Sequence, residues 1–242
     1  MLSIHAMCSI IEKACKELNE KYYLYDCNVL YACNWMQYIN YMYENISQCH
    51  CDTVEEFYYT QIMPYCNLYV NSFAHNRYYR DQDGNVKFII AFPIENMYKL
   101  AYNVWYYNSQ YRAEEQRYDT TKMGYTTSIT ITDKDIEDYL IACVKHEVGH
   151  VLHIRSIIAE KGIDEGLKYL SERTDKDEEE YYNKMNELDE TYTSEYDFYR
   201  DSFLSYRNMY AEKEADKAAG IDPLDFADLN VKIEAGMEKI SV

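Results

Sequence analysis

The chain has 242 residues, 48% of them hydrophobic and 27% charged, a balance that supports a folded core and excludes a disordered protein. Its formal net charge of -18 excludes a nucleic-acid binder, because Lys and Arg supply the phosphate neutralisation on which such binding depends. No window approaches the ~18 apolar residues of a membrane span, and the stretch from Met1 to Cys8 lacks the basic region of a secretory leader, so the expectation is a soluble, cytoplasmic protein.

Residues 3 to 21 place Ile4, Met7, Cys8, Ile11, Ala14, Cys15 and Leu18 at three- and four-residue steps, which predicts an amphipathic helix. A second helix is expected over roughly 28 to 48 and a third from Asp52, so residues 1–66 read as a helical N-terminal region. Of the eight cysteines, Cys8, Cys15, Cys27, Cys33, Cys49, Cys51 and Cys66 fall in this region. A chain able to bury a core does not need a disulfide scaffold, so they read as reduced thiols. Cys49-His50-Cys51 could ligate a metal, but it lacks the paired CxxC spacing of a structural zinc site and reads as ordinary semi-buried residues. The 29 tyrosines are expected on helix faces with their hydroxyls at the rim.

The period then changes. Residues 72 to 80 and 85 to 92 flank Asp81-Gln82-Asp83-Gly84, and Asp-Gly before the β-rich Val86–Phe92 predicts a hairpin whose second strand Pro93 ends. A helix over about 95 to 115 follows, then a short β-branched strand over 124–132. Asp133 is the expected N-cap of a helix running to about Ile158, with Ile136, Leu140, Cys143, Val144 and Val148 as its apolar stripe. Residues 163–208 read as a charged, mostly helical insertion whose acidic run, Asp175 to Glu180, is a solvated helix start. A helix carrying Glu212 should stop near Gly220, and 221–242 should hold a C-terminal helix. The expected domain is single, 1–242, with residues 67–220 as its core.

The chemistry is concentrated in Lys145-His146-Glu147-Val148-Gly149-His150. On a helix His146 and His150 lie one turn apart on the same face, so both imidazoles can reach one zinc ion, and Glu147 beside them can act as general base. A catalytic zinc site needs a third protein ligand and an open position. The metzincin pattern would place Gly at 153 and His at 156, where this chain has His153 and Ser156. A carboxylate from a later helix is the other solution. In Tyr210-Ala211-Glu212-Lys213-Glu214-Ala215-Asp216, Glu212 and Asp216 are one turn apart, so Glu212 can bind the metal while Asp216 holds the far N–H of a ligand histidine. Glu214 is the rival ligand, but has no carboxylate one turn later.

With those residues, the chain resembles the gluzincin zinc metallopeptidases over roughly 124 to 220. The resemblance implies an α+β, zincin-like fold, mainly helical, with a small β-sheet next to the HExxH helix. It implies zinc as cofactor, His146, His150 and Glu212 as ligands, Glu147 as base and Asp216 as the histidine's partner. It also implies a peptide or protein substrate, bound as an added strand along the strand before the motif helix. Candidates for the donor to the carbonyl oxygen are His153, Tyr206 and Tyr210. The alternative is a zincin-derived structural or interaction protein that keeps the metal and cleaves nothing.

Overall fold

The computed structural model describes residues 2–33, 73–81, 83–117, 130–189 and 195–238, together with the helical positions 37, 40, 41 and 44. The first helix, α1 (Ile4–Tyr22), starts where the Ser3 side chain accepts from the Ala6 N–H at 3.2 Å. It buries Met7, Ile11, Ala14 and Cys15, the stripe that the sequence periodicity marks. It ends at Tyr23, whose left-handed φ of 53° reverses the chain.

Residues 27–33 are not helical. They form β1 (Cys27–Cys33), which pairs in parallel with a strand some sixty residues later. Local periodicity cannot see that partner, and Val29, Leu30 and Tyr31 suit a strand as well as a helix face. The second helix survives at positions 37, 40, 41 and 44. The helix expected from Asp52 and the cluster Cys49-His50-Cys51 lie outside the described residues, as do residues 124–129 of the strand expected before the motif helix.

The hairpin is present as β2 (His75–Arg80) and β3 (Val86–Pro93), antiparallel, with the order β1-β3-β2 among the described strands. Asp81 closes its turn by accepting from the Asp83 and Asn85 N–H groups, and Gly84 supplies the positive φ of 79° that the turn needs. Central β3 buries Phe88 to Phe92.

Next come α2 (Ile94–Arg117) and α3 (Asp133–Lys161), the motif helix. The N-cap of α3 is Thr132 rather than Asp133: its hydroxyl accepts from the Asp135 N–H and Asp135 reaches back to the Thr132 N–H. Ile136, Leu140, Val144, Val148 and Val151 bury one face of α3 against α1 and the sheet. The remaining helices are α4 (Ile163–Asp189), α5 (Glu195–Arg207), α6 (Tyr210–Ala219) and α7 (Leu224–Glu238). The acidic run lies in the middle of α4, not at its start. It is exposed except for Asp177, which is buried and paired with Arg173 at 3.0 Å.

The described chain is therefore α+β, mostly helical with a small three-stranded sheet. One hydrophobic cluster runs from Met7 on α1 to Ile233 on α7. No described helix is long and apolar enough to cross a membrane.

Candidate metal centre

The site lies where α3 crosses α6, and a glycine permits the crossing. A Cβ on Gly149 would meet the Ala215 carbonyl oxygen at 2.1 Å, a distance no side chain tolerates. Gly149 thus lets the α6 backbone come close enough for side chains on both sides of it to meet. His146 and His150 flank Gly149 on α3, and Glu212 and Asp216 flank Ala215 on α6.

His146 Nε2 is 2.9 Å from Glu212 Oε2 and 3.1 Å from His150 Nε2, and His150 Nε2 is 3.6 Å from Glu212 Oε1. These donors all lie within 4.8 Å of one another and could hold a metal ion. Behind them, His146 Nδ1 is 2.9 Å from Asp216 Oδ1. That contact selects the hydrogen that stays when a metal binds: Nδ1–H donates to the Asp216 carboxylate, and loss of the Nε2 proton frees that lone pair toward the cluster.

His146, Glu147, Glu212 and Asp216 are all buried. Burial alone would lower the imidazole pKa of His146, but hydrogen bonds to Asp216 and Glu212 lift it to about 9. Burial would raise Glu212, yet the charge of His150 and hydrogen bonds from His146 and His150 hold its carboxyl well below the usual range. Glu147 sits opposite to that trend: removal from water raises its carboxyl, only partly offset by the histidines.

Two further residues complete the cluster. Arg207, at the end of α5, donates from Nε to Asp216 Oδ2 at 2.9 Å and from Nη2 to Asp216 Oδ1. Three buried carboxylates thus share one half-buried guanidinium, leaving two negative charges when all are ionised. A divalent cation balances that charge; without one, the proton on His146 does part of the work. Tyr206, one residue earlier, is 42% exposed overall, while its hydroxyl end lies close enough to feel the charges of Glu212 and Glu147. Burial and the charges of Glu212 and Glu147 push that hydroxyl's pKa well up.

The structure separates the residues between which sequence alone could not choose. Glu214 turns away and pairs with Lys217 at 3.3 Å. His153 and Tyr210 meet each other, Nε2 to hydroxyl at 3.4 Å, and Tyr169 donates to Tyr210, so of the three proposed carbonyl donors Tyr206 is the one beside the cluster. Sequence reading missed Arg207 altogether. It precedes Glu212 by five residues across a helix break, and no spacing rule marks it. It also passed over the crossing role of Gly149, although a glycine inside a helical stripe is a recognisable sign of close approach. Among the described cysteines, Cys8, Cys15, Cys27 and Cys143 are free thiols. Burial pushes Cys15, Cys27 and Cys143 up to about 12, which makes them poor metal ligands or nucleophiles at neutral pH.

No protein-family model, curated protein or solved structure matches this chain. The likeness to gluzincins therefore stands on the residues of the two motifs and on how they are arranged.

Proposed function

We propose that this protein is a zinc metallopeptidase with a zincin-like core. The observation that carries the reading is the convergence of His146 Nε2, His150 Nε2 and the Glu212 carboxylate, with Asp216 behind His146. Ligand atoms at the zinc distances of 2.0–2.1 Å in tetrahedral arrangement stand roughly 3.3 Å apart. The 3.1 Å between the two histidine nitrogens, and their 2.9 and 3.6 Å to the two different oxygens of Glu212, lie on either side of that value. Two nitrogens and one carboxylate oxygen, with one position left open, are also the donor set of a catalytic rather than a structural zinc site.

Bound zinc would supply a Lewis acid that polarises the scissile carbonyl and acidifies a water. Glu147 follows His146 directly on α3, and its buried carboxyl is poised to hold a proton. In this reading it takes one from the attacking water and delivers it to the leaving amine as the C–N bond breaks. Tyr206 is placed to donate its hydroxyl to the carbonyl oxygen as negative charge grows there. Asp216, held by Arg207, keeps His146 in the tautomer that leaves Nε2 free. Among the described strands β2 approaches α3, with Asn76 Nδ2 donating to the Glu147 carbonyl oxygen at 3.5 Å.

Cleavage of a peptide library by the wild type and by Glu147→Gln, with zinc measured on both, tests the reading. Hydrolysis by the wild type alone, with zinc at about one per chain in each, is the expected result. Zinc without hydrolysis in the wild type would leave a metal-binding protein that is not a peptidase, and hydrolysis by both would remove Glu147 from the reaction.

A further inference from the structure

A second feature lies along the first half of α3, before the metal ligands. Helix α7 packs on α2 and α5 but touches α3 only lightly. The gap is a cleft of about 700 Å³ bounded by the first half of α3, the turn after α6 and the first half of α7. Its size is within the range of sites that receive a ligand or a short peptide segment. The half-buried apolar side chains Ile141, Ile221, Phe226 and Leu229 line it. Five aspartates and two lysines also line it, so it carries excess negative charge.

We propose that this cleft docks an amphipathic segment of a partner protein, apolar on one face and carrying Lys or Arg beside that face. Burial of apolar side chains against Ile141, Phe226 and Leu229 supplies the affinity. The acidic rim selects cationic flanks and rejects acidic ones. The formal net charge of -18 steers a basic segment inward and disfavours both a second copy of the chain and an anionic lipid surface. The cleft also has a mechanical link to the metal centre. Ile221, in its wall, donates its N–H to the Asp216 carbonyl at 2.9 Å, so a docked segment rests against the C-terminal cap of the helix that carries Glu212 and Asp216. None of this depends on the peptidase reading.

The test uses the full chain and a fluorescein-labelled peptide of about 18 residues in which Leu fills one helical face and Lys the other, followed by anisotropy at about 150 mM salt. Saturable binding in the micromolar range is expected, with none by a peptide of the same pattern carrying Glu for Lys. The double variant Asp138→Asn with Asp225→Asn should weaken binding on the order of tenfold. Asp175→Asn with Glu179→Gln on α4 removes the same charge and should change binding less than about twofold. All four positions are exposed, so both variants should fold. Equal losses in the two variants, or equal binding by a scrambled peptide of the same composition, would reduce the effect to bulk attraction and overturn the proposal. So would the absence of binding up to about 100 μM.

Discussion

His75 on β2 and His146 on α3 are buried to nearly the same degree, 6% and 7% exposed, yet their protonation equilibria move in opposite directions. Burial pushes His75 down to about 4, and the charge of Arg77 on the same strand helps. The same burial acts on His146, but hydrogen bonds to Asp216 and Glu212 overcome it and carry the imidazole up to about 9. Residue type and burial are matched, so the difference comes from the charged groups beside each ring. A buried imidazole next to a guanidinium stays neutral; one between carboxylates becomes a cation or takes one as a ligand.

The strongest way to break this comparison is to remove the carboxylate that faces both histidines. Glu212→Ala should lower zinc affinity by more than the ~100-fold that loss of a supporting partner costs, measured by titration against a competing chelator. Unchanged affinity would show that the metal, if bound, sits elsewhere.

His75 gives the next largest effect, read as acid stability. Its folded pKa of about 4 lies below the ~6.5 of the unfolded chain, so its contribution is fully present above pH ~6.5 and is lost as pH falls toward 4. That loss amounts to about 3 kcal/mol. Urea unfolding of His75→Gln between those pH values should be flatter than the wild type by about that amount, and an equal slope in both would place the acid sensitivity in other groups.

A third variant separates the backbone crossing from the ligands it brings together. Gly149→Ala drives a methyl into the Ala215 carbonyl and should destabilise the fold by about 1–3 kcal/mol, which for a chain of this size lowers Tm by several degrees. Zinc affinity should fall with it, because the α3–α6 spacing sets the distance between His146 and Glu212. A normal melting curve would mean that the two helices are not in such close contact.

Smaller again is Asp216→Ala, which leaves all three donors in place and should weaken zinc binding roughly 10–100-fold. Glu214→Ala should be nearly silent in the same titration, since Glu214 turns to Lys217 rather than to the histidines. A loss in Glu214→Ala matching that of Glu212→Ala would mean that α6 presents the other face.

These variants divide the site by how legible each part was. His146 and His150 follow from one helical turn, and Glu212 with Asp216 from another, because spacing of i to i+4 is a property of the local backbone. The hairpin, α1, α2 and the body of α3 were legible for the same reason: Asp-Gly turns and apolar stripes act over a few residues. Residues 27–33 were not, because a parallel strand is stabilised by a partner distant in sequence. Thr132 and Asp133 are both good N-caps, and only the reciprocal bonds with Asp135 choose between them.

The sequence by itself determined which side chains share a helix face, and with that the two halves of the candidate metal centre. Tertiary structure decided that the halves meet. Contact between α3 and α6 depends on the missing side chain of Gly149, and the charge of the cluster depends on Arg207 arriving from the end of α5. Both are distances between segments far apart in the chain or separated by a helix break, and local periodicity carries no information about them. The two histidines divide the same way: strand spacing already puts Arg77 beside His75, whereas only the packed fold brings Asp216, seventy residues away, to His146.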